Sequence, residues 1–329
     1  MMIFLRNRGI LPLFFFVIIG VVAINFSVSA ADWKPEKTIR LIVTDKAGAY
    51  YDAQARIIAK EMSSLFDKPV IVENLSGAGM MMGTIKVYRS KPDGYTIGYT
   101  SSAALLVNQI FKKAQYDQSK FTYLGQTLNS SKSPSAFITT AKKGLASIEE
   151  VLKLDRPFRF GTPGPGSIGD ISPKAISHYF GFKDPIYVTY PGPEIVPAVI
   201  RGECDGAIMP IFMADQFIKT GELDLIMAVG MSRYNEFPDV RCLKDLGHTE
   251  IENLLQNYHI IIAPPDLPDD IYDVLSKAVY KAVTSDSLKE YHKKALFDGL
   301  MYLPATGPET KENVAESFKA LESNIEILK

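Results

Sequence analysis

Two short loops carry the residue types that can hold an anion without a cationic side chain: Asp45 to Tyr51 (DKAGAYY) and Thr162 to Gly166 (TPGPG). Each follows an apolar, β-forming run and precedes a segment with helical spacing, so each lies at the carboxyl end of a strand and the amino end of a helix. Small molecules bind at that place in open α/β sheets. Helix amino termini present unpaired N–H groups and the positive end of the dipole, so the favoured guest is an anion. Glycine permits positive φ and close backbone approach, and clustered amide donors in a dry cleft hold an anion. Any one of these glycines is equally well explained as part of a tight turn; two such turns at equivalent places favour the binding reading. Lys46 could add a cation or simply be solvated, the usual fate of a loop lysine. Ser167 and Asp170 have the S-x-x-D spacing of a capping box, and Asp52 could likewise satisfy amides at the start of its helix. Thr100 and Ser101 end a strand and offer hydroxyl groups to a ligand or to each other.

The elements that must position these loops are legible in the pattern. Thr38 to Val43 is short, β-branched and apolar, as in a strand buried on both faces, and Ala55, Ile58, Ala59, Met62 and Leu65 recur at helical spacing. A short helix is expected near Ala103 to Phe111, and the polar stretch Asn129 to Ser135 reads as a crossing between domains. After an apolar segment at Ala136 to Thr140, a second strand-loop-helix series begins, with strands at Phe158 to Gly161, Ile186 to Tyr190, Asp205 to Met209 and Leu223 to Val229. Tyr258 to Ala263 looks like a strand returning to the first lobe, stopped by Pro264 and Pro265. Beyond it, Ile271, Val274, Leu275 and Ala278 mark a helix opened by Pro268-Asp269-Asp270. Alternating strands and helices predict an α/β fold of two mostly parallel sheets flanked by helices, with a cleft between two lobes. The expected division is residues 31–134 and 255–329 in lobe 1 and 135–254 in lobe 2.

Composition narrows the function. With 36 basic and 37 acidic residues the chain is nearly neutral, which argues against nucleic acid as a partner. The histidines His178, His248, His259 and His292 show no metal-ligand spacing, and Cys204 and Cys242 lie in no nucleophile motif. No metal and no cofactor is expected, and catalysis finds little support. Arg6 and Arg8, the apolar run Ile10 to Ile24 and the Val28-Ser29-Ala30 exit read as a secretory signal peptide over residues 1–30, with an uncleaved membrane anchor as the alternative. The mature protein is then exported, where the two cysteines are free either to bridge or to stay buried as thiols.

The run IRLIV, AG, Asp52, VEN, GAG, PDGYT and TSS, followed in order by GTPGPGS, YPG, RGECDGA, FPDV and IIAPPDLP, resembles the extracytoplasmic substrate-binding proteins of tripartite tricarboxylate transporters, the Bug-type family. The resemblance covers nearly all of the mature chain. It implies a type II periplasmic binding-protein fold that closes on a small organic carboxylate and delivers it to membrane subunits. In that family the ligand carboxylate is gripped chiefly by backbone N–H groups and ordered water. On this sequence the implied residues are Ala47, Gly48, Ala49, Tyr50 and Asp52, with Thr100 and Ser101, in one lobe. In the other they are Thr162, Gly164, Gly166, Ser167, Asp170, Tyr190 and Gly192, although Tyr190 could equally be a core aromatic. The sequence departs from the family at Thr44 and Lys46, where proline is common, at Ala49, where a second glycine is, and at Tyr50 and Tyr51, where small residues are. Asp170 stands where histidine is frequent. Tyr50, Tyr51 and Tyr190 offer aromatic surface while Asp45 and Asp170 add negative charge, which favours a monocarboxylate over a tricarboxylate. A sensory protein docking on a membrane receptor and a secreted enzyme are the alternative readings.

Overall fold

The IRLIV run forms β1 (Ile39–Val43), all but Arg40 buried; its parallel neighbours are β2 (Val70–Asn74) and β3 (Thr96–Ser101). Between β1 and β2 runs α1 (Tyr50–Phe66), which turns Ala55, Ile58, Ala59 and Met62 inward. Leu65 continues the helical spacing but stays 45% exposed, because the helix reaches its left-handed cap at Asp67 just beyond the sheet's cover. This computed structural model describes residues 33–129, 132–164, 168–295 and 301–328. The expected signal peptide, and Gly166 and Ser167 with their capping box, lie outside the described residues.

The chain continues through α2 (Met81–Tyr88), α3 (Ser102–Lys112) and β4 (Thr122–Asn129). It then builds β5 (Ser135–Thr140), α4 (Ile148–Leu152), β6 (Arg159–Thr162), α5 (Ile168–Tyr179) and β7 (Ile186–Thr189). Next come α6 (Ile195–Arg201), β8 (Gly206–Pro210), α7 (Asp215–Lys219) and β9 (Leu223–Val229). The last part holds β10 (Tyr258–Ala263), α8 (Asp269–Val283), α9 (Asp286–Ala295), β11 (Tyr302–Thr306), α10 (Gly307–Ser323) and α11 (Ile325–Leu328).

One sheet has the order β11-β4-β10-β3-β1-β2 and the other β7-β6-β8-β5-β9. Both are mixed, where strand-helix alternation predicts mostly parallel sheets. β10 runs antiparallel to β3 and β4, and β5 antiparallel to β8 and β9. The physical reason is connection: parallel neighbours need a crossover, normally helical, and the strands at the crossing between sheets enter directly. β4 and β11, absent from the sequence reading, complete the first sheet.

The helices cover both sheets. Ile39, Leu41, Val43, Ile58 and Met62 form one core with Leu275 and Val279 of α8. Val199, Cys204, Ala207 and Cys242 lie in another, where both cysteines are buried free thiols. A third core joins Ile42, Ile260 and Ile262 of the first sheet and Leu105 of α3 to Phe137 and Phe160 of the second sheet and Phe158 just before β6. Each such aliphatic side chain contributes about 1.5–3 kcal/mol on burial. Just before β8 of the second sheet the fully buried Asp205 accepts from Lys143 at 2.6 Å, from Arg156 at 2.7 Å and from the Arg159 amide at 2.8 Å.

At the crossing, Asn129 is in register with Tyr258, and its side chain donates to Gln256. The C-terminus crosses back as well: Lys174 on α5 donates to the Leu328 carbonyl at 3.0 Å and Tyr179 to Asn324 at 3.3 Å. Among the described residues no helix is long and apolar enough to cross a membrane.

Candidate functional site

β1 and β6 occupy equivalent places, each flanked by two parallel neighbours, and a glycine-bearing loop leaves the carboxyl end of each. The first loop is built from its own polar groups. The Lys46 amide donates to Asp45 Oδ1 at 2.8 Å, the Ala49 amide to the Lys46 carbonyl at 3.1 Å, and the Gly48 amide to Asp52 Oδ2 at 2.9 Å. Asn74 fastens the loop to β2 by donating to the Asp45 carbonyl at 3.1 Å. Gly48 has φ +79°, and a Cβ there would meet nothing within 4 Å, so conformation rather than space calls for glycine.

These bonds redistribute the donors that the loop can offer. The Gly48 amide faces Asp52, whereas α1 begins with no side-chain cap. The first-turn amides of Tyr50 and Tyr51 have no intrahelical partner by helix geometry. Asp52 is 3% exposed and pairs with Arg56 at 3.0 Å. Burial alone would raise its carboxyl, but the Arg56 guanidinium and the Gly48 amide prevail and hold it below the ordinary carboxylate range.

Two of the three tyrosine rings read from sequence as aromatic surface for a ligand, Tyr50 and Tyr51, pack against α9 and β10. Tyr51 is 7% exposed and stacks on His259 with ring centroids 4.0 Å apart. Tyr50 lies against Tyr291, Leu128 and Met301, with its hydroxyl 3.3 Å from His292 Nδ1. Gln54 joins the cluster, accepting from the Tyr99 hydroxyl at 2.8 Å. Burial pushes His292 down to about 4. His259 is lowered by burial first and by its neighbour His292 second. Sequence gave no sign of this pair, since nothing in the spacing of His259 and His292 links them.

Thr100 is fully buried and accepts from the Thr44 hydroxyl at 3.0 Å. Ser101 caps α3 by accepting from the Ala104 amide at 3.1 Å and donates to Asn257 at 2.6 Å. Both hydroxyls thus brace the strand end beside the first loop.

In the second loop, Thr162 accepts from the Gly164 amide through its hydroxyl at 3.4 Å and from the Tyr190 amide through its carbonyl at 2.9 Å. Gly164 has φ +95°, and a Cβ there would lie 3.1 Å from Thr189. The Tyr190 ring lies beside Gly161. Gly192 opens the 3₁₀ turn Gly192–Glu194, with ordinary backbone and open space around it. Asp170, on the first turn of α5, pairs with Lys174 at 3.1 Å; the negative charge inferred from sequence is therefore met by a cation. Pro163 and Gly192 also line a cavity of about 190 Å³ walled by Ile195, Ile208, Met209 and Met213. A more polar hollow of about 520 Å³ lies along β4, β11 and α10 and includes neither loop. Among the described residues no group of three His, Cys, Asp or Glu side chains is placed to hold a metal ion.

Two mixed α/β sheets joined by crossing segments, with matching loops at β1 and β6, make this a two-lobed solute-binding protein of the periplasmic binding-protein fold. The pattern of the tripartite tricarboxylate transporter family receptors matches residues 54–305, and the chain belongs to that family. The protein BugT of Bordetella pertussis is 24% identical over 319 residues, spanning 92% of this chain and 93% of its own. MatC from Rhodopseudomonas palustris, solved with malate, shares the fold at 20% identity and a TM-score of 0.68, covering 90% of this chain and 100% of its own. An R. palustris protein solved with adipate does so at 18% identity and a TM-score of 0.71, covering 89% and 98%.

Proposed function

We propose that this protein is exported through the signal peptide of residues 1–30, captures a small organic carboxylate between its lobes and delivers it to the membrane subunits of a tripartite transporter. The observation that carries this reading is the pair of glycine-bearing loops at equivalent strand ends, β1 and β6. Residues 31–134 with 255–329 act as one lobe and 135–254 as the other, the C-terminal α11 reaching across to α5. The grip consists of backbone around Ala47, Gly48, Ala49 and Tyr50 on one side. On the other it consists of Thr162, Gly164, Gly166 and Ser167, with Tyr190 and Gly192 at its edge. Asp52 holds the first loop in shape, and Thr100, Ser101 and Asp170 flank the grip.

Affinity arises on closure, because neither loop alone surrounds an anion. A ligand shifts an open-to-closed equilibrium only through its extra affinity for the closed state. A thermal-shift screen of mono-, di- and tricarboxylates tests capture: a ligand at about 100 times its Kd adds about 2.7 kcal/mol if it binds only the folded state. Small-angle scattering with the best ligand should show a smaller radius of gyration. No shift with any carboxylate, supported by calorimetry, would defeat the proposal.

A further inference from the structure

The cavity behind the second loop bears on which carboxylate is captured. Its apolar walls are Ile195 at the start of α6, Ile208 and Met209 on β8, and Met213 in the turn that follows, while Ser135 of β5 and Gly169 and Ser172 of α5 complete the lining. Ile195, Ile208 and Met209 are each no more than 4% exposed, and none of the described lining residues is charged. Gly192 belongs both to this cavity and to the proposed carboxylate grip, and Pro163 on the cavity wall lies between Thr162 and Gly164 of that grip.

We propose that this cavity receives the non-polar end of the ligand, so that the protein selects a monocarboxylate bearing an aliphatic or aromatic tail over short di- and tricarboxylates. The inference rests on the carboxylate reading given above and deepens it. Size fits: an apolar cavity of about 150 Å³ admits benzene, and this one measures about 190 Å³. Chemistry fits as well, since methionine is flexible and polarisable and makes favourable contacts with aromatic rings. A second carboxylate placed here would lose its hydration with no charged lining residue to compensate it. The first lobe supplies no competing aromatic wall, because Tyr50 and Tyr51 are committed to Tyr291 and His259.

Calorimetric titration of the full mature chain with linear monocarboxylates from propionate to octanoate, with phenylacetate, and with malate and adipate tests this. Affinity should rise about fourfold per methylene until the cavity is full, and phenylacetate should bind more tightly than malate. Met213→Trp should flatten the chain-length dependence by filling the space. Met213→Ala should move the optimum to a longer chain, and it keeps the test open if the tryptophan variant does not fold. Tight malate binding with a flat monocarboxylate series would overturn this inference while leaving carboxylate capture standing. Absence of binding by every acid tested would overturn both.

Discussion

The amide of Gly48 donates to the carboxylate of Asp52 at 2.9 Å, so the loop that should meet an anion already holds one of its own. Arg56 holds the same carboxylate oxygen at 3.0 Å, which keeps the bond in place. The arrangement sets the left-handed turn at Gly48 and leaves the first-turn amides of α1 directed outward from an uncapped helix end. Asp52 therefore acts through the shape of the loop.

Replacing that carboxylate should both loosen the protein and weaken capture. Asp52→Ala removes a buried charged acceptor and should cost about 1.5–3 kcal/mol of stability. Urea denaturation reads the first effect and calorimetry the second. A variant with unchanged affinity for the best carboxylate would show that the loop does not depend on this bond.

The two open glycines separate conformation from access. Gly48→Ala places a Cβ at φ +79° and should lose about 1–2 kcal/mol through left-handed strain. Gly192→Ala meets no such demand and should stay within about 0.5 kcal/mol of the parent, while its methyl group narrows the proposed grip and weakens binding. Equal melting temperatures for the two variants would contradict this division.

Stability should depend on pH through the buried imidazoles. The unfolded chain takes up these protons near pH 6.5, but the folded protein resists, His292 titrating only at about 4. A depressed histidine pKa means that the unfolded state binds more protons in this window, so stability falls as pH drops from about 6.5 towards 4. For His292 alone the loss by pH 4 is on the order of 3 kcal/mol, and His259 acts in the same direction. Melting curves between pH 7.5 and 4.5 should show the slope, and His292→Phe should reduce it. A profile identical in that variant would assign the slope elsewhere.

Asp205 acts in the same direction on acidification, but in a lower pH window. Burial opposes its charge, but Arg156, Lys143 and the Arg159 backbone more than offset that and keep the carboxyl far below its ordinary range. With the folded-state value depressed, the stabilisation is present above about pH 4 and is lost only as pH falls further towards the folded value. Asp205→Ala should cost about 1.5–3 kcal/mol, because it removes a buried charged acceptor while Lys143, Arg156 and Arg159 are partly exposed and can turn to water. A loss under about 1 kcal/mol in equilibrium unfolding at pH 7, the scale of an exposed ion pair, would show that the cluster is solvated.

What the amino-acid order determined by itself was local. Thr38 to Val43 and the spacing of Ala55, Ile58, Ala59 and Met62 announce a strand and a helix, because apolar periodicity is set within a few residues. The glycine-bearing turn between them, and its counterpart after β6, follow from the same short-range logic. β4 and β11 escaped notice because Gly125 and Pro304 interrupt their patterns, and their place depends on partners such as β10, far away in sequence. The mixed sheets were decided in the same way, by which strands the crossing segments deliver to which edge. Tertiary structure also settled the fate of Tyr51, whose ring meets His259 from β10. It likewise assembled the cavity from α6, β8, the turn after β8, α5 and β5. Packing between distant segments sets those contacts, and no spacing along one segment encodes which distant side chain will close over it.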